Sequence, residues 1–304
     1  MEQNSLTIGI TGASGMVGSN LSSALNEQGH RVLPLRRGKS QSAGSGIFWD
    51  PDGVGIYDPQ RLAGVDAIVH LAGENIAAGR WTTAQKERIR SSRVDATQNL
   101  VRSLAQMEQP PATFVCASAI GIYGDRGDEE LTEASDPGSG FLADVCRGWE
   151  AAAAEAEAAG MRVVQVRIGV VLSTQGGALT KMLTPFRLGL GGIVGAGTQY
   201  WSWVGLQDLV GVLQEAVTNN SLRGPINAVS PQPVTNREFT KILGKVLKRP
   251  TIFPLPGFVA KLLLGEMAEE LLLSSAKVVP ESLKKIGFKF RHADLETCLR
   301  HELS

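Results

Sequence analysis

The chain has 304 residues, 43% hydrophobic and 20% charged, and its 30 basic and 30 acidic side chains cancel. That length suffices for one large or two modest globular domains, and a neutral balance builds no field that draws nucleic acid or an anionic membrane. No run reaches the ~18 apolar residues of a membrane helix, since "FVAKLLLGEMAEELLL" is broken by Lys261, Glu266, Glu269 and Glu270.

The opening "MEQNSLTIGI" lacks the basic flank and long apolar stretch of a secretory signal. Cys116, Cys146 and Cys298 share no CxxC spacing and, being three, cannot all pair. Reduced thiols and a cytoplasmic location are the expectation.

In chain order, the first predicted strand is "LTIGIT" (6–11), followed by a helix over roughly 16–28. Between them lies "ITGASGMVG", in which Gly12, Gly15 and Gly18 form GxxGxxG. Glycine there allows a tight turn, close approach of a pyrophosphate and close helix–strand packing. The helix start adds free N–H groups and partial positive charge. In this strand–turn–helix setting the triplet reads as a dinucleotide loop, with a merely tight turn as the alternative. The second strand, "RVLPL" (31–35), runs into Arg36 and Arg37. An acid here would bond the ribose 2′-hydroxyl of NAD, whereas two arginines can clamp a 2′-phosphate. NADP(H) is therefore expected, the alternative being two solvated loop arginines.

"AIVHLAG" (67–73), "TFVCAS" (113–118) and "RVVQVRIGVVL" (162–172) follow as near-continuous apolar strands, the pattern of a sheet covered on both faces. Helices are predicted at about 84–107 and 141–159. The alternation gives the fold class: α/β, a Rossmann doubly wound parallel sheet with a small mixed C-terminal substrate or lid domain. Seven strands in the order 3-2-1-4-5-6-7 are expected. After about residue 175 the order loosens. "GALTKMLTPFRLGLGG" reads as a helix ended by glycines, "LQDLVGVLQEAV" to "PINAVSP" as a second βαβ-like piece, and Thr235 with Glu238 as a capping box. Short amphipathic helices fill 256–273 and 280–286. Residues 1–175, completed by about 205–230, are assigned to the dinucleotide-binding core, and about 176–204 and 231–304 to the smaller domain.

"TGASGMVG", "HLAG", "SRVDATQNL", "SAIGIYGD" and "GPINAVSP", in this order, resemble the extended short-chain dehydrogenase/reductase superfamily, which includes the nucleotide-sugar epimerases. "LAGENI", "GFLADVCRGWE", "RIGVVLSTQGGAL", "PFRLGLGG" and "PVTNREF" look like one atypical branch of it, the epimerase-family or cell-division-inhibitor-like proteins. The match spans about residues 6–300.

The resemblance implies that Gly12, Ser14, Gly15, Met16, Val17 and Gly18 line a pyrophosphate. It sets Arg36 and Arg37 against the adenosine 2′-phosphate, and Leu71, Ala72 and Gly73 under the adenine ribose. Glu74 follows, within reach of a ribose hydroxyl or a basic neighbour. Arg93 stands where most extended members carry asparagine, so that its guanidinium either faces the cofactor or forms a surface ion pair. Ser118 lies near the nicotinamide or is a buried serine bonded to backbone.

The superfamily's acid/base machinery is a serine or threonine with a tyrosine and, four residues on, a lysine. Ala119 stands at the serine position, and Phe141 with Val145, or Leu142 with Cys146, at the pair. The catalytic group is left unassigned, with Ser118, Tyr123 and Cys146 as candidates; Cys146 reads more readily as packing, Tyr123 as a residue beside the site, and Asp144 and Glu150 as a solvated helix face or cap. Tyr200, Trp201 and Trp203 form either a stacking surface for a sugar or aromatic ring or inter-domain packing. Arg80 and Trp81 sit at the cleft edge or anchor their loop. None of the four histidines has metal spacing, so no metal is expected. The functional reading is an NADP(H)-dependent oxidoreductase or epimerase acting on a small, nucleotide-linked or other, substrate. The alternative is an NADP(H)-binding redox sensor or interaction protein with little turnover. The sequence is silent on the oligomeric state.

Overall fold

The computed structural model describes residues 5–38, 46–53 and 55–304. Strand β1 (Thr7–Thr11) leads through the glycine turn into α1 (Met16–Glu27), then β2 (Arg31–Arg37), β3 (Ile47–Asp50), the two-residue β4 (Gly55–Ile56) and β5 (Ala67–His70). Helices α2 (Thr83–Ser91) and α3 (Val94–Ala105) precede β6 (Thr113–Ala119), β7 (Glu130–Leu131), α4 (Phe141–Ala154) and β8 (Arg162–Ile168). Beyond lie β9 (Val170–Leu172), α5 (Gly177–Arg187), β10 (Tyr200–Trp201), β11 (Trp203–Gly205), α6 (Leu206–Thr218), β12 (Gly224–Ala228) and β13 (Val234–Thr235). The chain closes with α7 (Asn236–Leu247), α8 (Gly257–Leu264), α9 (Glu266–Ala268), β14 (Lys277–Val278), α10 (Glu281–Lys285) and α11 (Leu295–Glu302).

The central sheet runs β12-β8-β6-β5-β1-β2-β3-β4. Its first seven strands are parallel in the expected order, and β4 adds an antiparallel edge through Trp49–Ile56 and Asp50–Gly55. The third parallel strand, Ile47–Asp50, is too short to stand out in the sequence. Strand residues alternate between two cores, as the two-residue period of a strand requires. Ile8, Ile10, Val69, Val115, Val164 and Val166 pack with α1 and α6 on one face. Ile68, Phe114, Cys116 and Val163 pack with α3 and α4 on the other.

Three sequence expectations change in detail. The helix read over 84–107 is two, broken at Ser92 and Arg93. The run 162–172 is also two strands: a Cβ at Gly169 would lie 2.7 Å from the Ser202 carbonyl oxygen, and beyond it β9 leaves the sheet to pair with β11. The helix read over 141–159 ends as an α-helix at Ala154 and finishes in a tighter 3-10 turn to Ala159.

A third apolar cluster joins α5, α7 and α11 around Trp201, Trp203 and Phe239. The capping box forms as read: Thr235 accepts the Glu238 N–H and Glu238 accepts the Thr235 N–H. Among the described residues no helix is long and apolar enough to cross a membrane.

Candidate functional site

The strand order reverses beside β1, and doubly wound sheets bind ligands at the carboxyl ends of the strands at such a reversal. The glycine turn is built for close approach. Gly12 has φ +70°, and a Cβ on it would lie 3.0 Å from the Ala72 nitrogen and the Leu71 carbonyl carbon. A Cβ on Gly18 would lie 2.2 Å from the Gly12 carbonyl oxygen, so α1 meets the turn only because Gly18 has no side chain. The Gly15 N–H closes the turn on the Gly12 carbonyl at 3.0 Å, and no side chain caps α1. Ser14 and Gly15 are exposed, leaving the first N–H groups of α1 for an anion.

Under this turn lies a buried pair that sequence reasoning missed. Thr11 Oγ1 accepts the N–H groups of Leu71 at 3.2 Å and Ala72 at 3.3 Å. With both acceptances made, its own proton is assigned to His70 Nδ1, 2.7 Å away. His70 is fully buried, and burial, with the charge of Arg93 acting in the same direction, lowers its pKa to about 3. The neutral imidazole ties the ends of β1 and β5 together, which sets the Leu71–Gly73 wall against Gly12.

On the β2 side, Arg36 and Arg37 are both exposed. Arg37 pairs with Asp52 at 3.1 Å, while no ion pair engages Arg36 among the described residues. On the opposite side, α4 packs its first turns against the end of β6, where Leu142 Cβ would stand 3.2 Å from a Cβ on Gly121. Phe141 is covered by Trp81 (centroids 5.1 Å) and by the Lys86 ammonium, 4.5 Å from its ring centre. Arg80 reaches the Leu262 carbonyl at 3.4 Å and Trp81 the Ile76 carbonyl at 2.7 Å. Glu270 was also not foreseen: its carboxylate accepts the N–H groups of Phe141 at 3.1 Å and Leu142 at 3.4 Å. It lies in a single π turn, Glu269–Leu273, and burial pushes its pKa up against those two hydrogen bonds.

The structure sorts the remaining candidates. Ser118 donates to Glu150 at 2.7 Å instead of to backbone. Glu150 corrects the reading of a solvated face: its side chain is only 12% exposed, held in a two-point pair with buried Arg167, both contacts 2.9 Å. Arg167 also donates to the Tyr123 hydroxyl at 2.9 Å, and that oxygen lies 2.8 Å from Asn227 Oδ1 and 2.9 Å from the Thr132 carbonyl. Tyr123 is fully buried, and its pKa is raised by burial against the lowering effect of Arg167. Cys146 is buried among Ile122, Val229 and Val278, and burial followed by the Glu150 charge pushes its thiol up to about 12. Trp201 and Trp203 are core residues, not a stacking surface: they are 7% and 1% exposed, and Trp203 donates to the Gln232 carbonyl. Tyr200 is half-buried beside Lys277, whose ammonium lies 5.7 Å from its ring. Among the described residues no histidine, cysteine or carboxylate cluster is arranged to hold a metal.

Comparison with known proteins decides the family. The pattern of the NAD dependent epimerase/dehydratase family matches residues 8–228, and a domain of unknown function, DUF1731, matches 255–302. The chain belongs to the NAD dependent epimerase/dehydratase family. An epimerase family protein of Mycobacterium bovis is 42% identical over 285 residues, covering 94% of this chain and 93% of that one. The crystal structure of human epimerase family protein SDR39U1 with NADPH superposes with a TM-score of 0.83 at 32% identity, over 97% of this chain and 98% of that one. A nucleoside-diphosphate sugar epimerase from Corynebacterium glutamicum gives a TM-score of 0.81 at 39% identity over 99% of this chain, which spans 58% of that protein's length.

The chain thus has the NAD(P)-binding, oxidoreductase-like fold of the epimerase/dehydratase family. The glycine turn and the strand ends were legible because each rests on adjacent residues. Glu150, Arg167, His70 and Glu270 were not, since their partners lie from 17 to 129 positions away.

Proposed function

We propose that this chain binds NADP(H) across the carboxyl edge of the sheet and uses it in a reductase- or epimerase-type hydride transfer on a small carbonyl or nucleotide-linked substrate. The observation that carries the reading is the glycine cradle with Arg36 beside it. Gly12 and Gly18 leave no room for a Cβ, no side chain caps the start of α1, where Ser14 and Gly15 are exposed, and Arg36 makes no ion pair among the described residues at the end of β2. A cradle of this kind fits a pyrophosphate, and an unpaired guanidinium beside it fits a 2′-phosphate. In this reading Ser14, Gly15, Met16 and Val17 hold the diphosphate. Leu71, Ala72, Gly73 and Glu74 form the ribose wall, and Arg93 and Ser118 lie toward the nicotinamide. Arg37 shares its charge with Asp52, so Arg36 carries more of the 2′-phosphate preference. The NADPH in the human relative's structure supports the choice of nucleotide.

The division into a cofactor core (1–175 with 205–230) and a substrate-facing remainder is proposed on the separate third cluster and on the family boundary near residue 228. A reducing, cytoplasmic compartment is supported by three buried free thiols.

A second reading, an NADP(H)-binding sensor with little turnover, is favoured by one observation. The cleft end of α4 offers Phe141, Leu142, Val145 and Cys146, with no tyrosine or lysine, while Tyr123 and Cys146 are buried. Loss of general acid/base help costs about 10²–10⁴ in rate without touching the glycine turn.

Titration of NADPH and NADH into wild type and an Arg36→Ala, Arg37→Ala double variant tests the shared part. NADPH should bind tighter in wild type, and the double variant should lose about ten- to a hundredfold for NADPH alone. Equal wild-type affinities would remove the NADP(H) assignment. Turnover of a panel of nucleotide sugars and carbonyl compounds separates the two readings: NADPH oxidation supports the enzyme, and binding without oxidation the sensor.

A further inference from the structure

Among the described residues, large apolar side chains are exposed in two segments only. Leu188 and Leu190 follow α5, Ile252 and Phe253 precede α8, and Phe258, Leu262 and Leu263 lie on α8, all between 53% and 74% exposed. The two segments run side by side. A Cβ on Gly189 would meet Pro250, and one on Gly192 would overlap the Phe253 carbonyl oxygen. The Leu255 N–H donates to the Ile193 carbonyl at 2.8 Å, and the Gly195 N–H to the Leu255 carbonyl at 2.9 Å. On α8, Phe258 and Leu262 are exposed one turn apart, on one side of the helix, while Ala260 is buried.

Neutrality of the whole chain conceals a local imbalance around this ledge. Residues 181–207 and 239–265, which contain both segments, hold no aspartate or glutamate. At the Leu188 end, Arg249 Nε donates to the Arg187 carbonyl at 2.9 Å, and Lys248 is the C-cap of α7, so three cations meet there. At the α8 end, Arg80 reaches the Leu262 carbonyl. All four are exposed, and none makes an ion pair among the described residues. The carboxylates that follow α8 are engaged: Glu266 pairs with Lys86, Glu269 with Lys261, and Glu270 caps α4.

Exposed apolar side chains gathered in this way mark a docking surface. An isologous contact with a second copy would set the same cations against one another, and side chains this exposed project from the surface instead of lining a groove. Apolar side chains projecting between cations are the arrangement of an element that lies in a lipid interface, where an anionic headgroup layer attracts each nearby lysine or arginine. We propose that α8 and the loops at 188–190 and 250–253 dock the protein on an anionic lipid surface. Phe258 and Leu262 enter the acyl boundary, and Arg80, Arg187, Lys248 and Arg249 meet the headgroups. Docking of this kind needs neither a membrane-spanning helix nor bound NADP(H).

Flotation of the full chain with vesicles of phosphatidylcholine, alone or mixed with phosphatidylglycerol, tests this. The protein should float with the mixed vesicles and not with phosphatidylcholine alone, and high salt should release it. Each cation at an anionic surface strengthens binding by about fivefold, so Arg187→Gln with Lys248→Gln should weaken it by about thirtyfold. Phe258→Gln with Leu262→Gln should weaken it by about tenfold or more. All four positions are exposed, so thermal midpoints should stay near wild type. Arg102→Gln, at the β4 end of α3, should float as wild type does. No flotation, equal flotation with both vesicle types, or full flotation of the Phe258→Gln, Leu262→Gln variant each overturns the proposal. A dimer in sedimentation velocity that this variant loses, with no flotation of wild type, would give the face to a second copy instead.

Discussion

His70 shows how one buried side chain sets a pH limit on the whole crevice. Its folded pKa, about 3, lies below the ordinary value of 6.5, with burial the main cause and the Arg93 charge the second. Between those two values the unfolded chain holds a proton that the native chain does not, so stability falls as pH falls from about 6.5. The slope from this one group approaches about 1.4 kcal/mol per pH unit. Urea unfolding of wild type and His70→Gln from pH 7.5 to pH 5 checks this: the wild-type slope should exceed the variant's over that window. Parallel curves would show that His70 titrates normally. The same pair, Thr11 with His70, explains why the Leu71–Gly73 wall stands where it does. Each of its hydrogen bonds joins residues about 60 positions apart.

At the scale of an element, α4 begins without a cap of its own. Gly140 precedes it with φ +114°, and the cap is delivered from the C-terminal region by Glu270. A Cβ on Gly140 would lie 2.5 Å from Glu270 Oε1, so an alanine there meets both backbone strain and the carboxylate. Glu270→Ala should cost about 1 kcal/mol as a lost cap, and Gly140→Ala about 1–3 kcal/mol. Because the alanine's clash is with the group the other variant removes, the double variant should cost less than the sum of the two. Denaturant midpoints of the four proteins measure it, and strict additivity would rule out the capping contact. The cleft face of this helix, Phe141 and Leu142, is thus held by residues of the DUF1731 match.

Across the whole molecule, one buried polar network ties the sheet to the C-terminal region. Ser118 of β6, Glu150 of α4, Arg167 of β8 and Asn227 of β12 join through Tyr123, and Asn227 donates onward to the Val279 carbonyl at 3.0 Å. Glu133 extends it, accepting the N–H groups of Asn227 and Ser282. Burial works against the Arg167 charge, but the hydrogen bonds and charge of Glu150 outweigh it and hold the guanidinium above its ordinary pKa. Arg167→Leu leaves the largely covered Glu150 without its counter-ion and should cost about 3–5 kcal/mol, measured by urea denaturation at neutral pH. A loss under about 1 kcal/mol would mean that water or another donor replaces the arginine.

What the sequence determined by itself is what neighbours along the chain decide. The glycine turn follows from three residues spaced three apart, six of the seven parallel strands from apolar runs separated by helical stretches, and the α7 capping box from Thr235 and Glu238. Only the tertiary structure decided whether a side chain faces the crevice or the core. Tyr123, Trp201, Trp203 and Cys146 carry chemistry-capable groups in sequence, yet all are buried. Glu150 read as surface and became the centre of a buried ion pair. The reason is physical: helix and strand periods are local, but burying a charge is tolerable only beside its partner, and that partner is supplied by strands and loops that meet only when the sheet has formed.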